Sequence, residues 1–339
     1  MNTSPPVTQR DLAERCGVHP STICLALRNS PAIPAATRVR IQKIAAESGY
    51  RPNVAARNLA CMRTEKLPAS HLPLAWIDHS AREGFWRTDP TGRRLLGAAR
   101  RRAEGLGYYL DEHWLHAAHM SAARLAQILR ARGVQGVLLP AHAAASAIDA
   151  AAWREFSAVV VNGRLGEAGL DEVCPDYFYN LDLALARLGA RGARRVGLAL
   201  PRSFDDASGG LTRSGFLRVR ETQAATERIP VCLYTEDNET ALEQIVAWER
   251  RHGVAVIVGH GLPRGLRALA AETVELRLAA EQADTGGVDE RPELVAAAAV
   301  ERLTAKIRRF ERGPSDTAQT LLIRGAWQEA AVAAAVIAA

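Results

Sequence analysis

Residues 7–29 read VTQRDLAERCGVHPSTICLALRN, and nearly every position in the stretch obeys a local rule of chain folding. Thr8 stands where a helix begins, and Asp11 three places on completes the capping-box spacing, so a helix is expected over Gln9–Cys16. Leu12, Ala13 and Cys16 form its apolar stripe. Gly17 stops it, because the chain must pass through a left-handed conformation that glycine adopts without strain. Val18 packs the turn. His19 falls at the next N-cap and Pro20 at the first helical position, where a missing N–H costs nothing. Ile23, Ala26 and Leu27 then repeat at the spacing of one buried helical face. A third helix is expected from about Pro34 to Ser48, with Val39, Ile41, Ile44 and Ala45 as its apolar contributors and Gly49 as its stop. Two short helices across a glycine turn, followed by a third, are the helix-turn-helix plan.

Charge singles out the same region. Residues 1–63 hold nine Lys and Arg against three Asp and Glu, while the remaining 34 basic and 34 acidic residues cancel. The whole net charge of +6 therefore sits in the first fifth of the chain, a basic head on a neutral body. That distribution points to a polyanion-binding module, with a merely solvated basic face as the alternative. The five cysteines are scattered and include no CxxC pair, which fits reduced thiols in the cytosol better than disulfides or a zinc site. No apolar run reaches the roughly 18 residues of a membrane span, and the start MNTSPPVTQRD lacks the layout of a signal peptide. A cytoplasmic protein without membrane contact is expected.

With GYRPNVAARNLA added at residues 49–60, the segment 7–60 resembles the DNA-binding head and hinge of the lactose/galactose-repressor family of bacterial transcription regulators. The resemblance implies roles position by position. Thr8, His19, Thr22, Thr37, Tyr50 and Asn53 match positions that grip phosphates. Pro20, Ser21 and Leu25 match those facing base edges in the major groove. Arg28 is outside that match, and its place at the far end of the helix is read as a phosphate contact. Asn53, Ala56, Arg57 and Leu59 lie in the matched hinge, a helix in the minor groove, with Leu59 as the apolar wedge between base pairs. There are departures: His19, Cys24 and Pro34 stand where serine is usual, and Leu25 replaces an arginine found in some members. A buried thiol and a redox switch are both open for Cys24. A recognition helix so poor in donors suits thymine methyl groups, with Ser21 as one adaptable hydroxyl.

Beyond a polar linker the chain alternates strands with helices of ten or more residues, which means parallel α/β sheets. The fold class expected is an all-α helix-turn-helix head joined to an α/β effector domain of two lobes, like periplasmic sugar-binding proteins. The division is residues 1–52 for the head, 53–71 for hinge and linker, and 72–339 for the effector and dimerisation domain. By the same likeness one lobe takes about 72–176 and 285–320, and the other about 177–284 and 321–339. ARRVGLALP (193–201) and VDERPELVAAAAVERL (288–303) carry this part of the resemblance.

A ligand in such a fold sits between the lobes, at the carboxyl ends of the strands. The candidate effector residues are Trp86, Asn162, Thr212, Arg213, His260 and Glu281. The set departs from the family's: Thr212 stands where an arginine usually grips sugar hydroxyls, and His260-Gly261 replaces Asn-Asp. Either the ligand differs or the response is lost. HWLHAAH offers His113, His116 and His119 as a metal candidate, against surface histidines, and the Ala-rich tail AAVAAAVIAA is open between a frayed helix and a dimer contact. No P-loop, GxSxG or HExxH occurs, and no cofactor is expected. The reading is a repressor that binds double-stranded operator DNA as a homodimer and answers a small-molecule effector, a carbohydrate or derivative. Its alternatives are a regulator with a lost or non-sugar response and, further off, a cytosolic ligand-binding protein or enzyme with a basic head.

Overall fold

A computed structural model describes residues 7–27, 33–48, 72–118, 120–141, 150–164, 169–223, 228–235, 238–263, 265–269, 272–276 and 286–329. Arg28, Tyr50, Asn53, Ala56, Arg57, Leu59, His119 and Glu281, with the Ala-rich tail, lie outside them, as does the side chain of Cys24. The chain divides into two compact units, Met1–Ala69 and Ser70–Ala339.

The first unit holds α1 (Gln9–Cys16), α2 (Pro20–Leu27) and α3 (Ala35–Glu47). The capping box at α1 is closed in both directions: the Asp11 N–H donates to Thr8 Oγ1 at 3.3 Å and the Thr8 N–H donates to Asp11 Oδ2 at 2.8 Å. Gly17 takes φ 64° and ends the helix. Leu12, Ala13, Cys16, Ile23, Ala26, Ile41 and Ala45 form one buried core, with Val18, Leu27 and Ile44 against it. Val39 is not part of it: the residue is 64% exposed, because position 39 falls off the stripe that carries Ile41 and Ala45 to the other two helices.

The second unit contains two six-stranded sheets. In chain order the strands are β1 (Leu72–Asp78), β2 (Tyr108–Trp114), β3 (Gly136–Pro140), β4 (Ser157–Val161), β5 (Asp171–Pro175), β6 (Val196–Pro201), β7 (Cys232–Tyr234), β8 (Val256–Gly259), β9 (Glu272–Glu275), β10 (Gly287–Asp289), β11 (Thr320–Ile323) and β12 (Ala326–Gln328). One lobe has the order β11-β5-β4-β3-β1-β2 and the other β12-β10-β9-β8-β6-β7. All described pairings are parallel except that of β10 with β12. Helices Pro90–Gly105 and Pro292–Arg309 cover one face of the first sheet, while Ala122–Ala131 and a short turn at Ala150–Trp153 cover the other. Burial on both faces explains strand sequences such as SAVVV, apolar without alternation.

Sheet membership moves two of the expected crossings. The first falls at Asp176, near the expected 176, but the second falls after β10, at 290–291, and the third at 324–325. Strands β10 and β12 are three residues each, too short for a periodic signal. Gly325 makes the last crossing possible. Its N–H donates to Asn180 Oδ1 at 2.8 Å, and a Cβ there would lie 2.6 Å from Val288 and 2.8 Å from the Asp289 carbonyl oxygen.

A buried ion cluster ties the first lobe together at the amino end of its sheet. Asp171 accepts from Arg302 at 2.7 Å, Lys306 at 3.1 Å and the Gln319 N–H at 3.0 Å. Burial pushes its carboxyl up, but the three donors outweigh burial and hold the pKa below the usual carboxylate value. Burial also pushes the Cys174 thiol up to about 12, which makes it an unreactive packing group.

Candidate functional site: the helix-turn-helix head and the inter-lobe cleft

The head presents one outward face. Pro20 and Ser21 are exposed, as is Leu25, while Ile23 and Ala26 on the opposite side are fully buried. His19 is held by its neighbour: the Ser21 N–H donates to His19 Nδ1 at 3.3 Å, and the Ser21 hydroxyl lies 2.8 Å from the same nitrogen. An imidazole nitrogen thus replaces the usual oxygen of an N-cap. Thr8 is exposed, and Thr22 and Thr37 are half-buried. Two contacts were not legible from spacing. Arg40 on α3 donates to the Cys16 carbonyl at 3.1 Å and Gln42 to the Ala26 carbonyl at 3.1 Å. The third helix thereby satisfies the last carbonyls of the other two, and the Arg40 charge sits at the negative end of α1.

In the second unit a cleft of about 280 Å³ opens at the carboxyl ends of the strands. Trp86, Asn162 and His260 all line it. Trp86 comes from Phe85–Thr88, a helical turn entered through Gly84 at φ 71°. It packs edge-on against Trp76 at 5.6 Å and is 4% exposed, so it is both a core aromatic and part of the wall. Gly92 lets its backbone lie close, since a Cβ there would sit 3.1 Å from the Trp86 Cα. Asn162 follows β4 with φ 65°, a conformation asparagine tolerates better than most residues. Its carbonyl accepts from the Tyr177 hydroxyl at 3.4 Å.

His260 is the most firmly placed. Glu275 accepts from the Gly261 N–H at 2.7 Å and the Leu262 N–H at 3.0 Å, and the Tyr234 hydroxyl donates to the Gly261 carbonyl at 3.1 Å. That clamp fixes the loop after β8. The His260 ring stacks on Phe204 at 3.6 Å between centroids, and its Nε2 lies 3.5 Å from Glu290 Oε1. Both partners of this pair are buried.

The other expected contacts fall elsewhere. Thr212 is buried within the helix Leu211–Glu221 and does not line the cleft. Arg213, one position on, is rotated away and pairs with Asp205 at 3.0 Å. Burial raises the Asp205 carboxyl above its ordinary value, and the arginine offsets this only in part. In their place the wall gains Tyr177, Phe204 and Glu290, which sequence reasoning missed because they follow three different strands, β5, β6 and β10. Of the histidine motif, His113 lies on β2 beside Asp111 and the His116 Nε2 lies 3.2 Å from the His79 carbonyl oxygen.

Residues 8–53 match the family model described as bacterial regulatory proteins, lacI family. The head is a lacI-family head. Two curated relatives agree over the same region: the HTH-type transcriptional regulator MalR of Streptococcus pneumoniae, 38% identical over 60 residues, and AglR of Rhizobium meliloti, 44% identical over 55 residues. These alignments take in 18% and 16% of this chain and 18% and 15% of those proteins. The solved complex of the transcriptional regulator CelR with cellobiose has a similar fold, covering 95% of this chain and 98% of its own with a TM-score of 0.55 at 17% identity. The lacI-type head is thus joined to a two-lobed fold like that of CelR, with low sequence identity in the body. Among the described residues no helix is long and apolar enough to cross a membrane.

Proposed function

We propose that the chain is a sequence-specific DNA-binding transcriptional regulator, a repressor that binds a near-palindromic operator as a homodimer in the cytoplasm. The observation that carries the reading is the outward face of α2. Pro20, Ser21 and Leu25 stand exposed on a lacI-family head whose three helices share one buried core. In this reading Thr8, His19, Thr22, Thr37, Arg28, Tyr50 and Asn53 grip phosphates, and the hinge with Ala56, Arg57 and Leu59 enters the minor groove. A small molecule in the cleft alters lobe closure and thereby the geometry of the two heads. The chain is a regulator and not an enzyme, with residues 1–52 as head, 53–71 as hinge and 72–339 as effector domain.

A second reading has a specific observation behind it. Arg213 is tied to Asp205 and Thr212 is buried, so the effector grip of the family is not reproduced and a non-sugar or lost response follows.

The test is competition binding on operator-sized duplexes drawn from around its own gene. Affinity falls steeply as salt rises, and a preferred duplex survives competitor DNA. Equal affinity for random DNA refutes the reading. Leu59→Ala weakens specific binding more than non-specific binding, since it removes a wedge and no phosphate contact.

A further inference from the structure

We infer that the first lobe carries a second ligand site, at the amino end of its sheet, that takes a small phosphorylated molecule by its phosphate group. The inference goes beyond the regulator reading and does not depend on it.

A cavity of about 520 Å³ opens where β5 and β11 begin and the helix Pro292–Arg309 ends. No described residue lines both this cavity and the inter-lobe cleft, which lies at the carboxyl ends of the strands. Its size falls within the ~300–1,000 Å³ that holds most small-molecule ligands.

Charge selects the ligand. Arg302, Lys306, Arg309 and Arg312 line the cavity. Arg302 and Lys306 donate to the same oxygen of one buried carboxylate, Asp171, at 2.7 and 3.1 Å, and the Gln319 N–H takes the other oxygen at 3.0 Å. One buried negative charge thus faces two cations. Glu311 offsets the surplus only at a distance, 3.9 Å from Lys306 and 3.7 Å from Arg309, and Asp316 stands exposed on the outer loop. With three carboxylates set against four cations, the wall keeps a net charge of +1.

The cations also have bonding capacity to spare. Arg302 uses only its Nε on Asp171, so the two terminal nitrogens of a side chain that is 25% exposed have no partner among the described residues. Arg312 is exposed and has no partner among them at all. A guanidinium fork with free N–H groups matches two phosphate oxygens at once, which a single ammonium cannot do. The carbonyls that would repel an anion at this helix end are covered. The Phe310 N–H donates to the Ile307 carbonyl at 3.2 Å and the Glu311 N–H to the Lys306 carbonyl at 3.0 Å. Ser315, Thr317 and Gln319 complete the wall with hydroxyl and amide groups, and no aromatic side chain is among the described lining residues. The body attached to the phosphate is therefore hydroxylated, as in a sugar phosphate.

The experiment is isothermal titration of the full chain with ribose-5-phosphate, glucose-6-phosphate, inorganic phosphate and sulfate as probes. The expected result is saturable binding of at least one sugar phosphate, tighter than that of either inorganic ion. Arg302→Lys keeps the charge beside Asp171 but removes the fork, and Arg312→Ala removes an exposed side chain that no fold contact needs. Each weakens the sugar phosphate about tenfold, the worth of one hydrogen bond to a charged group. The tryptophan midpoint in urea shows which variants are folded, and weakening in a folded one supports the site. A sugar phosphate held with unchanged affinity by both variants is bound elsewhere, the cleft included, and overturns the inference. Sulfate binding as tightly as the sugar phosphates overturns it too, because the cavity is then a sink for any anion, and so does no binding of any probe.

Discussion

The head and the cleft are built by opposite means. In the head each functional position is fixed by residues within a few places of it. Thr8 and Asp11 close one helix start, Gly17 opens the turn, and the Ser21 N–H meets the His19 ring. In the cleft the histidine is placed by partners far away in the chain. His260 stands where it does because Glu275 and Tyr234 hold its loop, and it meets Glu290 only because the chain crosses back between the lobes. A locally built site can be preserved in a short segment, and the head alone carries the 38% and 44% identity to MalR and AglR. A site assembled from several strand ends can change its chemistry while the scaffold persists.

The comparison breaks most sharply if the two units can be destabilised one at a time. All six tryptophans lie beyond residue 70, so their fluorescence reports the body alone. Asp171→Ala leaves Lys306, 3% exposed, without its nearest carboxylate, and costs the body about 3–5 kcal/mol, the loss typical of a broken buried pair. The fluorescence midpoint in urea falls accordingly, while the folding of α1–α3, followed by proton NMR of the head, does not move. Leu12→Ala reverses the pattern. It opens a cavity in the small core of the head at a cost of about 2–5 kcal/mol, so DNA affinity collapses while the tryptophan midpoint stays in place. A shift in both units by either variant would refute their energetic independence.

The same contrast decides what could be read in advance. The boundaries of α1, the left-handed Gly17 and the burial of Leu12, Ile23 and Ala26 all follow from local rules, and the structure has each of them. Val39 failed because an apolar residue on a helix says nothing about which face turns inward. In the cleft, Trp86, Asn162 and His260 follow β1, β4 and β8, and the parallel topology brings all three to one wall. Thr212 matches a family position in sequence, but a match in sequence does not fix which way a helical side chain turns, and Thr212 is buried while Arg213 turns out to Asp205. Glu290 carried no signal because β10 is three residues long and its crossing was expected five residues earlier.

A smaller effect sharpens the local side of the comparison. Thr8→Ala removes the α1 N-cap and costs about 0.5–2 kcal/mol, confined to the head and visible as a lower melting temperature of its NMR signals. Ser is the conservative control at this position and restores most of the loss.

The smallest effect depends on pH. The Thr8 N–H, with its hydroxyl, holds the Asp11 carboxyl below its ordinary value, with Arg15 helping, against a weaker opposing push from desolvation. The folded pKa is depressed, so the unfolded chain takes up the proton first as pH falls. The contribution of Asp11 is therefore fully present above the unfolded carboxylate pKa of about 3.9 and is lost as pH drops through the folded value. Asp171 acts in the same direction for the body. Between about pH 5 and pH 3 the stabilities of both units fall, and Asp11→Asn flattens the part of the head's slope due to this group while leaving the tryptophan-reported slope of the body untouched. An unchanged slope in the head would mean that the reciprocal cap does not hold in solution, and with it would go the claim that the head is fixed by its nearest neighbours.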